Sequence, residues 1–251
     1  MTILAIDTST QWCSVALVNP QGGSGQPQSP LSFGELIRHE NLGPESSQHA
    51  LDWVEALLEE AQLSFRDLSA IAVGIGPGAF TGIRIGVGIG QGMAFAADLP
   101  CLPIVCLDAV ALEGIRKLGL KKNDQVIAAT DARMSEVYWA RYVVQANGLP
   151  ERQDDVYLSA PKDIEIPSAP FALVGNAATA YPEDMLAISQ QAMATDETAV
   201  PHARSIAQLG LDALEKGLQV SAADLQPIYV RDKVAQTIAE RELEKSNQEK
   251  S

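Results

Sequence analysis

The sequence predicts a mixed α/β fold, and three observations predict it. Short apolar runs at 3–6 and 13–18, joined by a polar turn, read as the start of an antiparallel meander. From 46 to 105 the chain alternates helix, strand, helix, strand, and a strand order of this kind needs parallel crossovers. At 251 residues the chain holds one large domain or two small ones. A globule of that size buries roughly 70–75% of its unfolded surface, so its core needs no staples.

The elements follow in order. Ile3 to Ile6 is a short buried strand that stops at Asp7, and Asp7-Thr8-Ser9-Thr10 is a turn. Cys13 to Val18 is the second strand. Residues 19–30 form a loop rich in Gly, Pro, Gln and Ser, and Leu31 to Ile37 reads as a third strand. Ser46 to Gln62 is an amphipathic helix: Ala50, Leu51, Val54, Leu57, Leu58 and Ala61 fall on one stripe, and Ser46 or Ser47 can cap it. Ala70 to Ile75 is a buried strand broken by Gly76-Pro77-Gly78. Gly82 to Ala97 reads as a helix that ends near Pro100, and Leu102 to Val105 as a strand. A helix from Leu107 to Gly119 and strands Gln125 to Thr130 and Glu136 to Val144 open a second region. Residues 146–170, rich in Pro and acids, carry no clear pattern. Phe171 to Val174 is a strand, Ala203 to Gly217 a helix, and Ile228 to Val230 a last short strand. From Lys233 onward the polar tail frays or forms a solvated helix.

Composition excludes several classes. Apolar residues make up 46% and charged residues 20%, which is ordinary for a globular protein and wrong for a disordered one. The net charge is -14, from 18 Lys+Arg against 32 Asp+Glu. Sequence-independent nucleic-acid binding needs a basic footprint, so no tight direct binding of RNA or DNA is expected. Cys13, Cys101 and Cys106 form an odd set without a CxxC, which fits a reduced, cytoplasmic setting. The apolar start is too short for a signal peptide. The stretch from Ile85 to Val105 is too interrupted by Gly, Asp98, Pro100 and Pro103 to span a membrane, so no membrane association is expected.

No GxxxxGK[ST], GxGxxG, GxSxG or HExxH motif occurs. His39, His49 and His202 show no metal-ligand spacing. Two segments carry chemistry. In Asp7-Thr8-Ser9, turn amides and hydroxyls can cradle a phosphate while Asp7 holds a hydrated Mg2+; alternatively, these groups satisfy the turn itself. In Gly74 to Gly86, a strand leads through a Gly/Pro loop into a helix start, an arrangement that can bind an anion. Gly82, Gly86 and Gly90 recur at i, i+4 and i+8 and make one smooth face. That face either packs inside the chain or receives a partner's helix. Arg84 can pair with a carboxylate or phosphate or lie on the surface. Asp131-Ala132-Arg133 is either a structural ion pair or part of a site. Trp53, Trp139 and Tyr138 read as core or interface anchors.

Four blocks together carry a family resemblance: Ile-Leu-Ala-Ile-Asp-Thr-Ser at 3–9, Gly-Pro-Gly-Ala-Phe-Thr-Gly-Ile-Arg-Ile-Gly at 76–86, Asp-Ala-Arg at 131–133 with Glu-Val-Tyr-Trp-Ala at 136–140, and Pro-Ile-Tyr-Val-Arg at 227–231. In order and over nearly the whole chain, they resemble the TsaB, or YeaZ, family. The resemblance implies an actin, sugar-kinase and Hsp70 ATPase-like fold of two ribonuclease-H-like subdomains. The first would span 1–105 plus roughly 205–232 and carry the partner interface, the second 106–204, with 233–251 a tail. It implies a non-catalytic subunit required for N6-threonylcarbamoyladenosine at position 37 of transfer RNAs that read ANN codons.

Implied partners are a TsaD-like catalytic subunit and a TsaE-like ATPase, with a homodimer on the same surface when TsaD is absent. The implied interface is Leu51, Val54, Leu58, Gly82, Ile83, Gly86, Val87 and Gly90. Asp7, Thr8 and Ser9 would be the phosphate or nucleotide contacts, and Gly76, Pro77, Gly78, Phe80, Thr81 and Arg84 the motif loop. No catalytic residue and no tightly bound cofactor are implied, with ATP or ADP at a subunit junction as the remaining option. Matching on Pro100 and Pro103 sets Cys106 and Val110 where TsaD-like chains carry a His pair, so no metal is expected. Ser46-Ser47-Gln48 departs from a frequent family His, and His49 inherits no role. The competing function is a stand-alone ATP-dependent phosphotransferase of the same superfamily; a metallopeptidase reading lacks its His pair.

Overall fold

The computed structural model describes residues 1–20 and 34–231. The predicted tail from Lys233 on and the start of the predicted strand at Leu31 lie outside the described residues.

Strands β1 (Ile3–Asp7), β2 (Trp12–Val18) and β3 (Glu35–Asn41) form an antiparallel meander. Helix α1 (Ala50–Ala61) leads to β4 (Ala70–Gly74), and α2 (Phe80–Ala97) leads to β5 (Cys101–Ile104). Both of these strands join β1's side of the sheet in parallel, giving the order β3-β2-β1-β4-β5. β1 and β4 are apolar at nearly every position because both faces of the sheet are covered. On one face, Leu4, Ile6, Val15 and Val73 meet Val54, Leu57 and Leu58 of α1 and Ile83 and Val87 of α2.

Helix α3 (Cys106–Leu118) then crosses to a second sheet. That sheet holds β6 (Gln125–Arg133), β7 (Glu136–Val144), β8 (Pro150–Arg152), β9 (Tyr157–Ser159), β10 (Phe171–Val174) and β11 (Ala194–Asp196). Its order is β11-β10-β6-β7-β8, with β6-β7-β8 antiparallel and β6-β10-β11 parallel. The first sheet's pattern is therefore repeated, and the chain consists of two ribonuclease-H-like sheets. Helices α4 (Ala177–Ala180) and α5 (Pro182–Gln191) cover one face of the second sheet, with Met185 and Ile188 in its core. Helix α6 (Ala203–Glu215) returns to the first sheet, where Ile206 and Ala207 pack with Ile3, Ala5 and Leu102. Meanwhile α3 places Leu107, Val110 and Ile115 on the second sheet. Each sheet thus takes one helix from the chain segment beyond its own strands. The two exchanged helices meet where Arg116 Nη1 donates to Ser205 Oγ (2.8 Å).

Three expectations are corrected. The third strand runs from Glu35 to Asn41, further along the chain than 31–37. The predicted helix at 46–62 is split: residues 43–48 form a 3-10 turn and the α-helix begins at Ala50. Among the described residues, Ile228 to Val230 forms no strand, and Ile228 N–H donates to the Ile75 carbonyl (2.9 Å). Among the described residues, no helix is long and apolar enough to cross a membrane.

Candidate docking face and cleft

Asp7 ends β1 and is buried. Its Oδ1 accepts from the Ser9 amide (3.1 Å) and hydroxyl (2.9 Å), and its Oδ2 accepts from Cys106 Sγ (3.2 Å). The Gly76 amide donates to the same sulfur (3.1 Å), and Cys106 N–H donates to the Gly76 carbonyl (2.7 Å). Burial pushes the Asp7 carboxyl up, partly offset by the bonds from Cys106 and Ser9. Burial likewise pushes the Cys106 thiol well up. A Cβ on Gly74 would collide with Asp7 Oδ2, so the carboxylate has no room for a hydrated cation on that side. Thr8 is buried too, and its hydroxyl donates to the Gly82 carbonyl (2.7 Å). The turn-satisfying alternative is therefore the one realised for Asp7 and Thr8, because the helix start closes directly over them. Val110 lies in the second core, and among the described residues no group of three His, Cys, Asp or Glu side chains is placed to hold a metal.

The glycine stripe is corrected in the same way. A Cβ on Gly82 would collide with the Thr8 carbonyl oxygen, one on Gly86 would lie 2.6 Å from Thr8 Oγ1, and one on Gly90 2.5 Å from Val73 Cγ2. These glycines let α2 lie against β1's turn and β4 inside the chain. Val54, Leu58, Ile83 and Val87 are buried beside them in the first core. Of the expected interface residues, only Leu51 is exposed, at 45%. Sequence spacing showed that these residues share a face but not which surface covers it. The outward face of α2 carries Arg84, Gly88, Gly92 and Phe95 instead. Among the described residues nothing lies within 4 Å of a Cβ placed on Gly88 or Gly92, and Phe95 is 84% exposed. The continuation of the glycine run through 88 and 92 was the sequence signal for this second face.

A cleft of about 490 Å3 lies between the sheets. From the first side it is lined by Ser9, Ser46, Pro77, Gly78 and Thr81, and from the second by Asp131 and Arg133. Among the described residues, those last two are its only charged lining residues, and they pair with each other (3.1 Å). Asp131 Oδ1 is further engaged by the Tyr181 hydroxyl (2.6 Å) and the Arg133 amide (2.7 Å). Asp7 is sealed by its own hydrogen bonds, and among the described lining residues the one cation, Arg133, is paired with Asp131. Of the motif loop, Gly76 meets Cys106, while Phe80 and Arg84 turn to Tyr229: the guanidinium lies 3.7 Å from the Phe80 ring centroid, and its Nε donates to the Tyr229 hydroxyl (2.8 Å). Trp139 and Tyr138 are core residues, and Trp53 is half-buried against the first core. Sequence reading also gave no hint of the stack of Trp12, His39 and His202, with centroids 4.5 and 4.0 Å apart.

The chain is similar to known proteins along its length. A family model described as "tRNA N6-adenosine threonylcarbamoyltransferase" (TsaD) matches residues 40–239. The TsaB protein of Escherichia coli, named for tRNA threonylcarbamoyladenosine biosynthesis, is 35% identical over 94% of this chain and 96% of its own. The protein of the same name from Haemophilus influenzae is 32% identical over 93% and 95%. The solved YeaZ of Pseudomonas aeruginosa superimposes with a TM-score of 0.78 at 35% identity, covering 91% of this chain and 99% of that one. With the two-sheet fold, these matches establish that the chain belongs to the TsaB (YeaZ) family of tRNA threonylcarbamoyladenosine biosynthesis proteins.

Proposed function

We propose that the chain is a non-catalytic subunit in tRNA threonylcarbamoyladenosine formation, and that it acts by docking a TsaD-like partner on the outward face of α1 and α2. The observation that carries this reading is Phe95, 84% exposed beside the open positions of Gly88 and Gly92. An unpaired aromatic next to a smooth helix surface can bury itself against an opposing helix, for about 1.5–3 kcal/mol. The match to the TsaD model supports a partner of related fold, which would present its corresponding helices.

Asp52, Glu55 and Glu59 line the exposed side of α1. They favour a partner with a basic flank and weaken pairing with a second copy, because a two-fold interface would bring like charges together. A homodimer on this face is the fallback when the partner is absent. A TsaE-like ATPase would join the assembled pair, and ATP or ADP, where bound, would sit at a subunit junction rather than in the chain's own cleft. The cytoplasm is the compartment this role requires, and the net charge of -14 leaves transfer RNA to a partner's basic surface.

Co-purification with the TsaD-like partner tests the reading. Phe95→Asp and Gly88→Leu should abolish the complex and leave the circular dichroism of the free chain unchanged. A complex that survives both substitutions rejects this face.

A further inference from the structure

The segment after α6 touches both sheets within seven residues. Leu225 is buried in the first core, and its carbonyl accepts from Gln91 Nε2 (2.7 Å) on α2. Ile228 N–H donates to the Ile75 carbonyl just past β4 (2.9 Å). Tyr229 is held by Arg84 of α2. Val230 then packs against the second core, and Arg231 ends on the β6–β7 hairpin. There Arg231 Nη2 donates to the Ala132 carbonyl (3.0 Å) and pairs with Glu136 (2.7 Å), while Nη1 meets Met134 Sδ (2.7 Å).

The hairpin needs such support. Arg133, Met134 and Ser135 have φ of 63, 57 and 58°. Three consecutive non-glycine residues in the left-handed region are unfavourable and persist only where neighbours fix them. Two groups do so here: Asp131 Oδ1 accepts from the Arg133 amide (2.7 Å), and the Arg231 guanidinium gathers the carbonyl side. The same hairpin forms the cleft wall through Asp131, Ala132 and Arg133.

We propose that residues 225–231 form a strap that fixes the two sheets relative to each other across the cleft, with Arg231 as its latch on the β6–β7 hairpin. This goes beyond the docking role, since it concerns the chain's internal geometry and stands without a partner. It also links α2, through Arg84 and Gln91, to the far wall of the cleft by one continuous set of contacts.

Spin labels on Glu40→Cys of β3 and Leu186→Cys of α5, both exposed and off the proposed docking face, report the distance between the sheets in the isolated full chain. Arg231→Ala should broaden the distance distribution and speed amide exchange of residues 132–137 about tenfold. Exchange in β1 and β4 should stay at the wild-type rate. An unchanged distance distribution in a variant whose β1 and β4 remain protected overturns the proposal. If Arg231→Ala loses protection throughout, Glu136→Gln, which removes the ion pair at a partly exposed position, is read by the same two measurements: faster hairpin exchange with a broadened distribution supports the latch, and wild-type behaviour in both rejects it.

Discussion

Cys106 Sγ lies 3.2 Å from Asp7 Oδ2 and donates to it, which ties the first residue of α3 to the last residue of β1. That carboxylate is spent on holding the crossing between the two sheets. Burial raises the Asp7 carboxyl and this bond partly offsets the rise, while Gly74 closes the space beside Oδ2.

Removing Asp7 should therefore cost stability rather than activity. Asp7→Ala leaves the Ser9 hydroxyl and the Ser9 amide without their acceptor in a buried site, a loss of about 1–3 kcal/mol per unmatched group. Chemical denaturation checks this. Titration of the wild-type chain with magnesium ATP in a calorimeter should show no binding to the isolated protein in the micromolar range.

Gly86→Leu separates the inner face of α2 from the outer one. Its side chain would drive into Thr8, so the free chain should lose several kcal/mol or fail to fold. Gly88→Leu, which meets nothing within 4 Å, should leave thermal stability within about 1 kcal/mol of wild type. Differential scanning fluorimetry of the two variants distinguishes the buried stripe from the open one.

Much of this was legible from the residues. β1, β4 and α3 are apolar runs with clear stops, and the repeated glycines announced a close helix approach. What faced the glycines was not legible, because periodicity places residues on one side of a helix without naming the neighbour. Strands β8, β9 and β11 are three residues each and are held by cross-sheet pairing, too short for alternation to show. Helix α5 has only Met185 and Ile188 buried, so its amphipathic signal is faint. Arg231 stood in a quoted motif, but its role depends on a hairpin nearly a hundred residues away.

The Trp12–His39–His202 stack makes stability depend on pH. Burial first, then the positive charges of His202 and Arg204, pushes the His39 imidazole down to about 4 from 6.5. His202 is lowered as well, chiefly by burial. The folded chain thus binds fewer protons than the unfolded chain between pH 6.5 and 4, and stability from this pair falls as pH drops through that window. His39→Gln should flatten the acid side of a plot of Tm against pH. An unchanged slope would show that the stack does not govern it.

The acidic flank of α1 predicts opposite salt responses for the two assemblies. Raising ionic strength from about 0.05 to 0.5 M should weaken the complex with a basic-flanked partner by roughly 3–10-fold and strengthen the homodimer. Analytical ultracentrifugation of the chain alone and with its partner gives both signs. Asp52→Asn with Glu55→Gln and Glu59→Gln should erase the difference.

Reconstitution of threonylcarbamoyl transfer to transfer RNA, with wild-type chain or Phe95→Asp beside the TsaD-like and TsaE-like proteins, probes the central claim most directly. The account predicts modified transfer RNA only with the wild-type chain and the partner together, and none from the chain alone or from the folded Phe95→Asp variant. Full product with Phe95→Asp, or any product from the solitary chain, would contradict it.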